Sequence, residues 1–461
     1  MRACFLRMFT VLAIASLFLT ACATPAATTA PAVTQPPAAG ATQPAASGGQ
    51  PVELTFWYWA ESDAPGADKW MAETVQAYQK VKPNVKVTVV AQSTDTLISA
   101  FQSAVTAGSG PDIASQWATG PVLGFVWQNA LVPVSDYVPK SEMDNWLNLN
   151  ENTYNGKVWG VPMYLIGIGV MYNKDLFQKA GVTPPSGDRW TWDEFMAACE
   201  KIKIAGITPF AVGDKDGYHG AWFFANVGIQ GLDSTEDLRQ AVIGKASFKD
   251  EKYTGWYKNL DEMVKKGYFN SDVMSLTLDQ GERVFWDGKA AMAWGTDGMI
   301  KQAITTLGED KVGLMRPPKL GSGKLADAGN ATQSISFLIT KWSKHPQEAA
   351  DFLAFLHTPD RLSAWYKFTG VVAADKRFDT SAVTSPNLKK MLQWETTGPQ
   401  VWLENYLPGQ VDSDADLPAG QMIFSQSGSP TDAADLWNRT AESWRTQHPD
   451  ELKNWEGWQQ K

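Results

Sequence analysis

VELTFWYW, residues 52–59, is the first stretch of this chain able to form a core, and its surroundings decide the architecture. Its β-branched and aromatic residues favour a strand. Leu54, Phe56 and Tyr58 face one way and Thr55 and Trp57 the other, so both faces are suited to burial. DKWMAETVQAYQKV (68–81) follows, with Trp70, Met71, Thr74, Val75, Tyr78 and Val81 on one helical stripe. NVKVTVV (84–90) reads as a second strand. DTLISAFQSAVTAG (95–108) sets Leu97, Ile98, Phe101, Ala104 and Val105 on one face and closes on Gly108. PDIAS (111–115) reads as a third strand. A β-α-β-α-β series of this kind implies a mostly parallel sheet covered by helices on both faces.

The alternation returns further on. GIGVMY (167–172), ITPFAVG (207–213) and AAMAWG (290–295) read as strands. TWDEFMAACEKIKIAG (191–206) reads as a helix with a Thr cap before an acidic first turn. HPQEAADFLAFLHT (345–358) places Pro346 in a first helical turn, and PTDAADLWNRTAESWRTQ (430–447) forms a late amphipathic helix. At 461 residues and 44% hydrophobic content the chain exceeds one typical core. Two α/β lobes with a cleft between them are expected.

The N-terminus differs in kind. Arg2 and Arg7 precede the apolar run MFTVLAIASLFL, which is short for a membrane span and reads as a signal peptide. It ends in LTAC (19–22), which resembles a bacterial lipobox and makes Cys22 the expected lipidation site. Residues 23–51 carry no charge and few large apolar side chains, so they read as a disordered Ala/Thr/Pro tether. Loss of the two arginines with the leader takes the formal charge from −9 to −11. An acidic chain without a basic run is unsuited to nucleic acid. Of three cysteines only Cys199 belongs to the folded body, which rules out an intrachain disulfide there and suits a small buried hydrophobe.

The chain is poor in catalytic motifs. His219, His345, His357 and His448 are scattered, with no HExxH pair, P-loop, G-x-S-x-G elbow or G-x-G-x-x-G turn. No cofactor or metal is expected. DSDAD (412–416) begins like a calcium loop, but Leu417 replaces the turn glycine and Ile423 the bidentate acid, so it reads as a solvated acidic loop. Tryptophan is abundant, with 21 residues. Several, including Trp59, Trp117, Trp159, Trp190, Trp222 and Trp294, fall near strand ends or in loops, where flat apolar faces can line a cleft that packs on sugar rings.

NGKVWGVPMYLIGIGVMYNKDLFQKAGVTPP followed by TWDEF (155–195) resembles the signature of extracellular solute-binding proteins of the maltodextrin and multiple-sugar class. AGSGPDI (107–113), FWDGKAAMAWGTDGM (285–299), ISFLITKWSKHPQEAADFLAFL (335–356) and FTGVVAADK (368–376) are similar to other stations of that family, in the same order. The resemblance implies a two-lobed, type II periplasmic-binding-protein-like fold. Its lobes would be 52–163 plus 335–369 and 164–334 plus 370–461, with crossings near 162–166, 331–335 and 368–373. It also implies a monomer that captures a carbohydrate by hinge closure and delivers it to the permease of an ABC importer, held at the membrane by its lipid.

Carried over position by position, the resemblance implies a ligand site at Trp59, Glu61 and Ser62 after the first strand, and Gln92, Ser93 and Asp95 after the second. Gln116, Trp117 and Thr119 follow the third, and Tyr218, His219 and Trp222 lie in a later loop. The family's acid before the Tyr-Asn strand is Ile166 here, with Tyr164 as a substitute. Its Gly-x-Trp platform reads Gly295-Thr296-Asp297, with Trp294 beside Asp297. These departures point to a mono- or disaccharide or a polyol rather than a long maltodextrin. Asp112, in the Pro-Asp turn, is read as structural. Two alternatives stay open. One is a receptor for a non-sugar solute such as a glycerol phosphate ester. The other is a secreted glycan-active enzyme, for which Glu61 and Asp297 are the carboxylate pair to test.

Overall fold

A computed structural model describes residues 50–59, 64–327, 332–397 and 401–458, apart from the side chains of residues 94, 95, 327 and 332. The leader, Cys22 and nearly all of the tether therefore lie outside the described residues. The strands used below are β1 (Val52–Tyr58), β2 (Val85–Ala91), β3 (Ile113–Trp117), β4 (Gly160–Gly167), β5 (Gly169–Asn173), β6 (Thr208–Ala211), β7 (Ala290–Gly295), β8 (Val312–Met315) and β9 (Thr332–Ile339). The helices are α1 (Ala67–Val81), α2 (Thr94–Ala107), α3 (Gly120–Trp127), α4 (Trp192–Ile204), α5 (Tyr218–Asn226), α6 (Leu278–Trp286), α7 (Asp297–Leu307), α8 (Pro346–Leu356), α9 (Pro359–Thr369), α10 (Pro386–Thr397), α11 (Leu417–Phe424) and α12 (Pro430–Gln447).

Two sheets carry the two lobes. The first has the order β2-β1-β3-β9-β4 and the second β8-β5-β7-β6. In the first, β1 pairs in parallel with β2 (Val52 opposite Val85) and with β3 (Phe56 opposite Ile113). β9 then runs antiparallel to both β3 and β4, with a register shift between Ile335 and Ser336. In the second, β6 is parallel to β7, whereas β5 is antiparallel to β7 and β8. The mostly parallel sheets expected from the sequence are thus mixed. Parallel pairing holds where a helix links neighbours, as in β1-α1-β2. Strands that bring the chain across from the other lobe are free of that crossover constraint and run the other way. The chain passes from the first sheet to the second at Ile168, between β4 and β5.

Side-chain alternation in β1 works as its pattern predicts. Leu54, Phe56 and Tyr58 enter the main core, where the Phe56 ring meets Phe337 at 5.0 Å and Phe352 at 6.4 Å. Trp57 packs on the opposite face against the cluster of Phe101, Val122 and Phe125 from α2 and α3. α1 docks on α9 through the edge-on pair Trp70 and Trp365, 5.0 Å apart, and Trp70 Nε1 donates to the Arg361 carbonyl. α2 closes on Gly108 in the left-handed conformation. α4 begins with a complete Thr191/Glu194 capping box. Cys199, on α4, is fully buried, and burial pushes its thiol well above the usual range.

Candidate functional site

The ends of β1 and β3 project toward one cleft. Trp59 follows β1 and Trp117 ends β3; their rings meet edge to face at 5.4 Å, and the Trp59 N–H donates to Ser115 Oγ. In an α/β sheet the carboxyl ends of parallel strands are where loops open toward ligand. Across from this pair, Trp222 of α5 meets Trp402 at 6.2 Å, nearly perpendicular. Between them lies a cavity of about 940 Å3, bounded by Trp59, Trp117, Tyr218, Trp222 and Trp402 together with Gln333 of β9 and Asn405. Asn405 Nδ2 donates to Gln333 Oε1 at 2.5 Å, tying the C-terminal segment to a strand of the first sheet.

Backbone geometry at the cavity is tight. Thr119 has φ of 64° in the turn that starts α3, a rare conformation for a β-branched residue. Its N–H donates to the Glu151 carbonyl at 2.9 Å, and its own carbonyl accepts from Leu123. Gly120, next along, faces the Asn405 carbonyl so closely that a Cβ would sit 2.3 Å from it. Glycine is what lets the start of α3 meet this segment.

The residues expected at the site divide into three groups. Trp59, Trp117, Tyr218 and Trp222 line the cavity, as does Ser93. Glu61 and Ser62 lie outside the described residues, as does the Asp95 side chain. The remainder do not reach the cavity wall. Gln92 is half-buried past the end of β2, where its N–H donates to the Tyr58 carbonyl. Gln116 is fully buried opposite Ser336, and strand alternation turns it away from its neighbour Trp117. Thr119 is buried behind Gly120, where its backbone turns the chain into α3. Tyr164 packs in the core on Trp365 at 4.8 Å. Trp294 is enclosed by Phe210 and Phe223 at 5.4 and 5.0 Å. Asp297 sits at the start of α7, where Oδ2 accepts from the Gly167 N–H at 3.2 Å and the side chain hydrogen-bonds Glu395 of α10. Burial raises Asp297 to about 6, and burial together with the Asp297 charge holds Glu395 well above the ordinary carboxylate range, beside the crossing at Ile168.

His219 is fully buried behind the wall, with Nε2 2.8 Å from Glu282 Oε1 and Nδ1 2.8 Å from the Gly213 carbonyl. It ties α5 to α6 and does not line the cavity.

The sequence reading misses the segment after α10. Trp402, Glu404, Asn405, Gln410, Asp412 and Ser413 all reach the cavity. The stretch VWLENYLPG (401–409) has neither helical nor strand periodicity; an acid beside aromatics is its only signal. DSDAD is helical rather than a loop, with only Ser413 and Asp414 exposed. It forms a π-helical stretch, Asp412–Asp416, running into α11, and Asp416 is fully buried. Burial pushes Glu404 up to about 8 and Asp412 up to about 7, and the charges of Glu404, Asp412 and Asp214 add to burial in holding Asp416 far above its usual value. No cluster of three or more His, Cys, Asp or Glu among the described residues could hold a metal ion.

Comparison with known proteins places this geometry. Residues 73–391 match the family model described as bacterial extracellular solute-binding protein. A relative named as an uncharacterized ABC transporter extracellular-binding protein of Pyrococcus horikoshii is 24% identical over 71% of this chain and 72% of its own. The multiple sugar-binding protein of Streptococcus mutans is 26% identical over 57% of this chain and 62% of its own. A solved structure described in connection with xylan utilization by the thermophilic bacterium Caldanaerobius polysaccharolyticus superposes with a TM-score of 0.73 at 25% identity, covering 84% of this chain and 99% of that one.

Proposed function

The chain belongs to the bacterial extracellular solute-binding protein family, and from that premise we propose that it is the carbohydrate-binding component of an ABC importer. The observation that carries this reading is the cleft of about 940 Å3 with tryptophan pairs on two walls, Trp59/Trp117 and Trp222/Trp402. Indole faces suit the C–H-rich faces of sugar rings, while Gln333, Asn405 and the carboxylates beside Trp402 supply acceptors for hydroxyls. The names of the Streptococcus relative and the xylan-utilization structure support a sugar or sugar oligomer. The volume lies at the upper end of the range for small-molecule sites, which suits a ligand of one to a few rings.

Sugar enters the open cleft, the lobes close by hinge motion at the crossings, and the closed form docks on its permease. Ligand favours closure only as far as it binds the closed form better. Lipid at Cys22 and the 23–51 tether would hold the receptor beside the permease and raise its effective concentration. The likeness is to binding proteins rather than to enzymes, and the Asp297 carboxylate is buried away from the cavity.

A thermal-shift screen of the purified protein against mono- and disaccharides, polyols and phosphate esters tests the reading. A carbohydrate at 100 times its Kd stabilises by about 2.7 kcal/mol. Trp117→Ala and Trp222→Ala each weaken that sugar at least about two- to tenfold, since an aromatic contact of this kind contributes roughly 0.5–1.5 kcal/mol beyond area burial. A flat response to every carbohydrate, or unchanged affinity in both variants, defeats it.

A further inference from the structure

One wall of the cleft is acidic beyond what neutral sugars call for. Asp216, Asp279, Glu404, Asp412 and Glu451 reach the cavity, against a single lysine, Lys215. Behind them Asp214 and Asp416 are completely buried. Asp416 has no hydrogen-bond partner on either oxygen among the described residues, and Asp214 Oδ2, Asp412 Oδ1 and Glu404 Oε1 have none either. Glu404, Asp412, Asp416 and Asp214 lie around the π-helical stretch at the head of α11, and π-helical turns recur at functional sites. Asp416 interacts with the charges of Glu404, Asp412 and Asp214.

The neighbouring titratable groups offset this cluster only in part: the His219 charge lowers Asp214, and Lys215 lines the same cavity. His219 is committed to Glu282 and the Gly213 carbonyl. His448 bonds Gln410 at 3.0 Å. The Tyr257 hydroxyl accepts from Trp437. Glu404 receives a bond from Trp402 on one side only. Carboxyls crowded together with empty hydrogen-bonding positions are costly, and a cation that completes them also draws off the protons that burial makes them keep.

We propose that this wall receives a positively charged group of the ligand, a protonated amine carried on a sugar ring, so that the substrate class is an amino sugar. The proposal rests on the carbohydrate reading for the body of the ligand and adds its charge. An ammonium donates three hydrogen bonds without the strict convergence a metal ion demands, and no metal-holding cluster is present among the described residues. Trp222 and Trp402, perpendicular to one another beside Glu404, offer ring faces on which a cation is also stabilised.

Calorimetric titration of the full chain tests this with one probe series: a glucosamine disaccharide, its N-acetylated form, cellobiose, and the sugar-free amine spermidine. The amine disaccharide binds about tenfold or more tighter than its acetylated and neutral counterparts, the scale expected for a close charge pair. Glu404→Gln and Asp412→Asn, isosteric changes that leave no carboxyl able to ionise at that position, each erase that preference without lowering the unfolding temperature of the free protein. Equal binding of the amine and neutral forms, an amine preference that survives both variants, or no binding of any amine overturns the proposal. Cellobiose binding without amine preference leaves the carbohydrate reading standing alone. Spermidine binding that both variants abolish, with no sugar bound, supports the cation site and defeats the carbohydrate reading.

Discussion

Asp112 shows how a single side chain can look like a site residue and hold the fold instead. Its Oδ2 accepts from the Thr55 N–H of β1 at 2.8 Å, and its Oδ1 from Ser343 Oγ at 2.7 Å. It therefore ties the start of β3 to the adjacent strand and to the loop before α8. Asp112→Ala leaves the Thr55 amide without this acceptor and lowers stability by about 1–3 kcal/mol, read by urea unfolding, while sugar affinity stays unchanged. The Pro-Asp pair makes that role legible in the sequence. The opposite holds for Asp297, which follows a strand end as site residues do, yet bonds Gly167 and Glu395 in the interior. Strand ends in a sequence do not reveal which of them another element will cover. In this chain α10 covers the end of β7 and leaves those of β1 and β3 open.

At the scale of elements, the site depends on how closely α5 meets α11. Gly220 and Gly420 face each other so tightly that a Cβ on Gly220 would lie 2.8 Å from the Gly420 Cα. This approach seats α5, and with it Tyr218 and Trp222, against the segment that carries Asp412 and Asp416. Gly220→Ala is expected to destabilise by roughly 1–3 kcal/mol through overpacking. It also weakens ligand binding because Trp222 shifts, an outcome separable from global unfolding by titrating at a temperature where the variant is folded. The glycines are visible in the sequence. Their pairing is not, because nearly 200 residues separate them and no local pattern links them.

For the molecule as a whole, buried and half-buried acids set the response to pH. Burial, the largest cause in each case, raises Glu151, Asp214, Glu282 and Asp412 to about 7, Asp297 to about 6 and Glu404 to about 8. Between pH 4 and 8 the native state thus keeps protons that the unfolded chain has released, and stability falls as pH rises through this window. His219 acts in the same direction: burial pulls it down, but Glu282 and Gly213 lift it overall, so its contribution is also lost as pH rises. Asp375 opposes the trend only in acid. Burial pushes it up, yet Arg377 and His357 hold it at about 2, so its contribution is lost below the ordinary aspartate range. The free protein should unfold several degrees lower at pH 8 than at pH 5. The double variant Glu404→Gln, Asp412→Asn should show a shallower slope, and scanning calorimetry across the range reads both. A melting temperature that climbs from pH 5 to pH 8 contradicts the account.

Sequence alone determined the kind of the elements whose patterns are local, chiefly the first β-α-β-α-β series. The alternation in VELTFWYW, the helical stripes at 68–81 and 95–108 apart from the exposed Val81 and Ile98, and the Thr191 capping box are local signals, set by backbone sterics and by which face must leave water. It also identified the tryptophans at strand ends, and four expected residues, Trp59, Trp117, Tyr218 and Trp222, meet at one cavity. Tertiary structure decided the direction of the crossing strands, the burial of Tyr164, Trp294 and Asp297, and the arrival of Trp402, Glu404 and Asp412 from a segment with no periodicity of its own. The physical reason is range. Periodicity records what a residue meets within a turn or a neighbouring strand, whereas a cleft between lobes is made by contacts hundreds of residues apart. The charge of its wall depends on which carboxylates burial deprives of water.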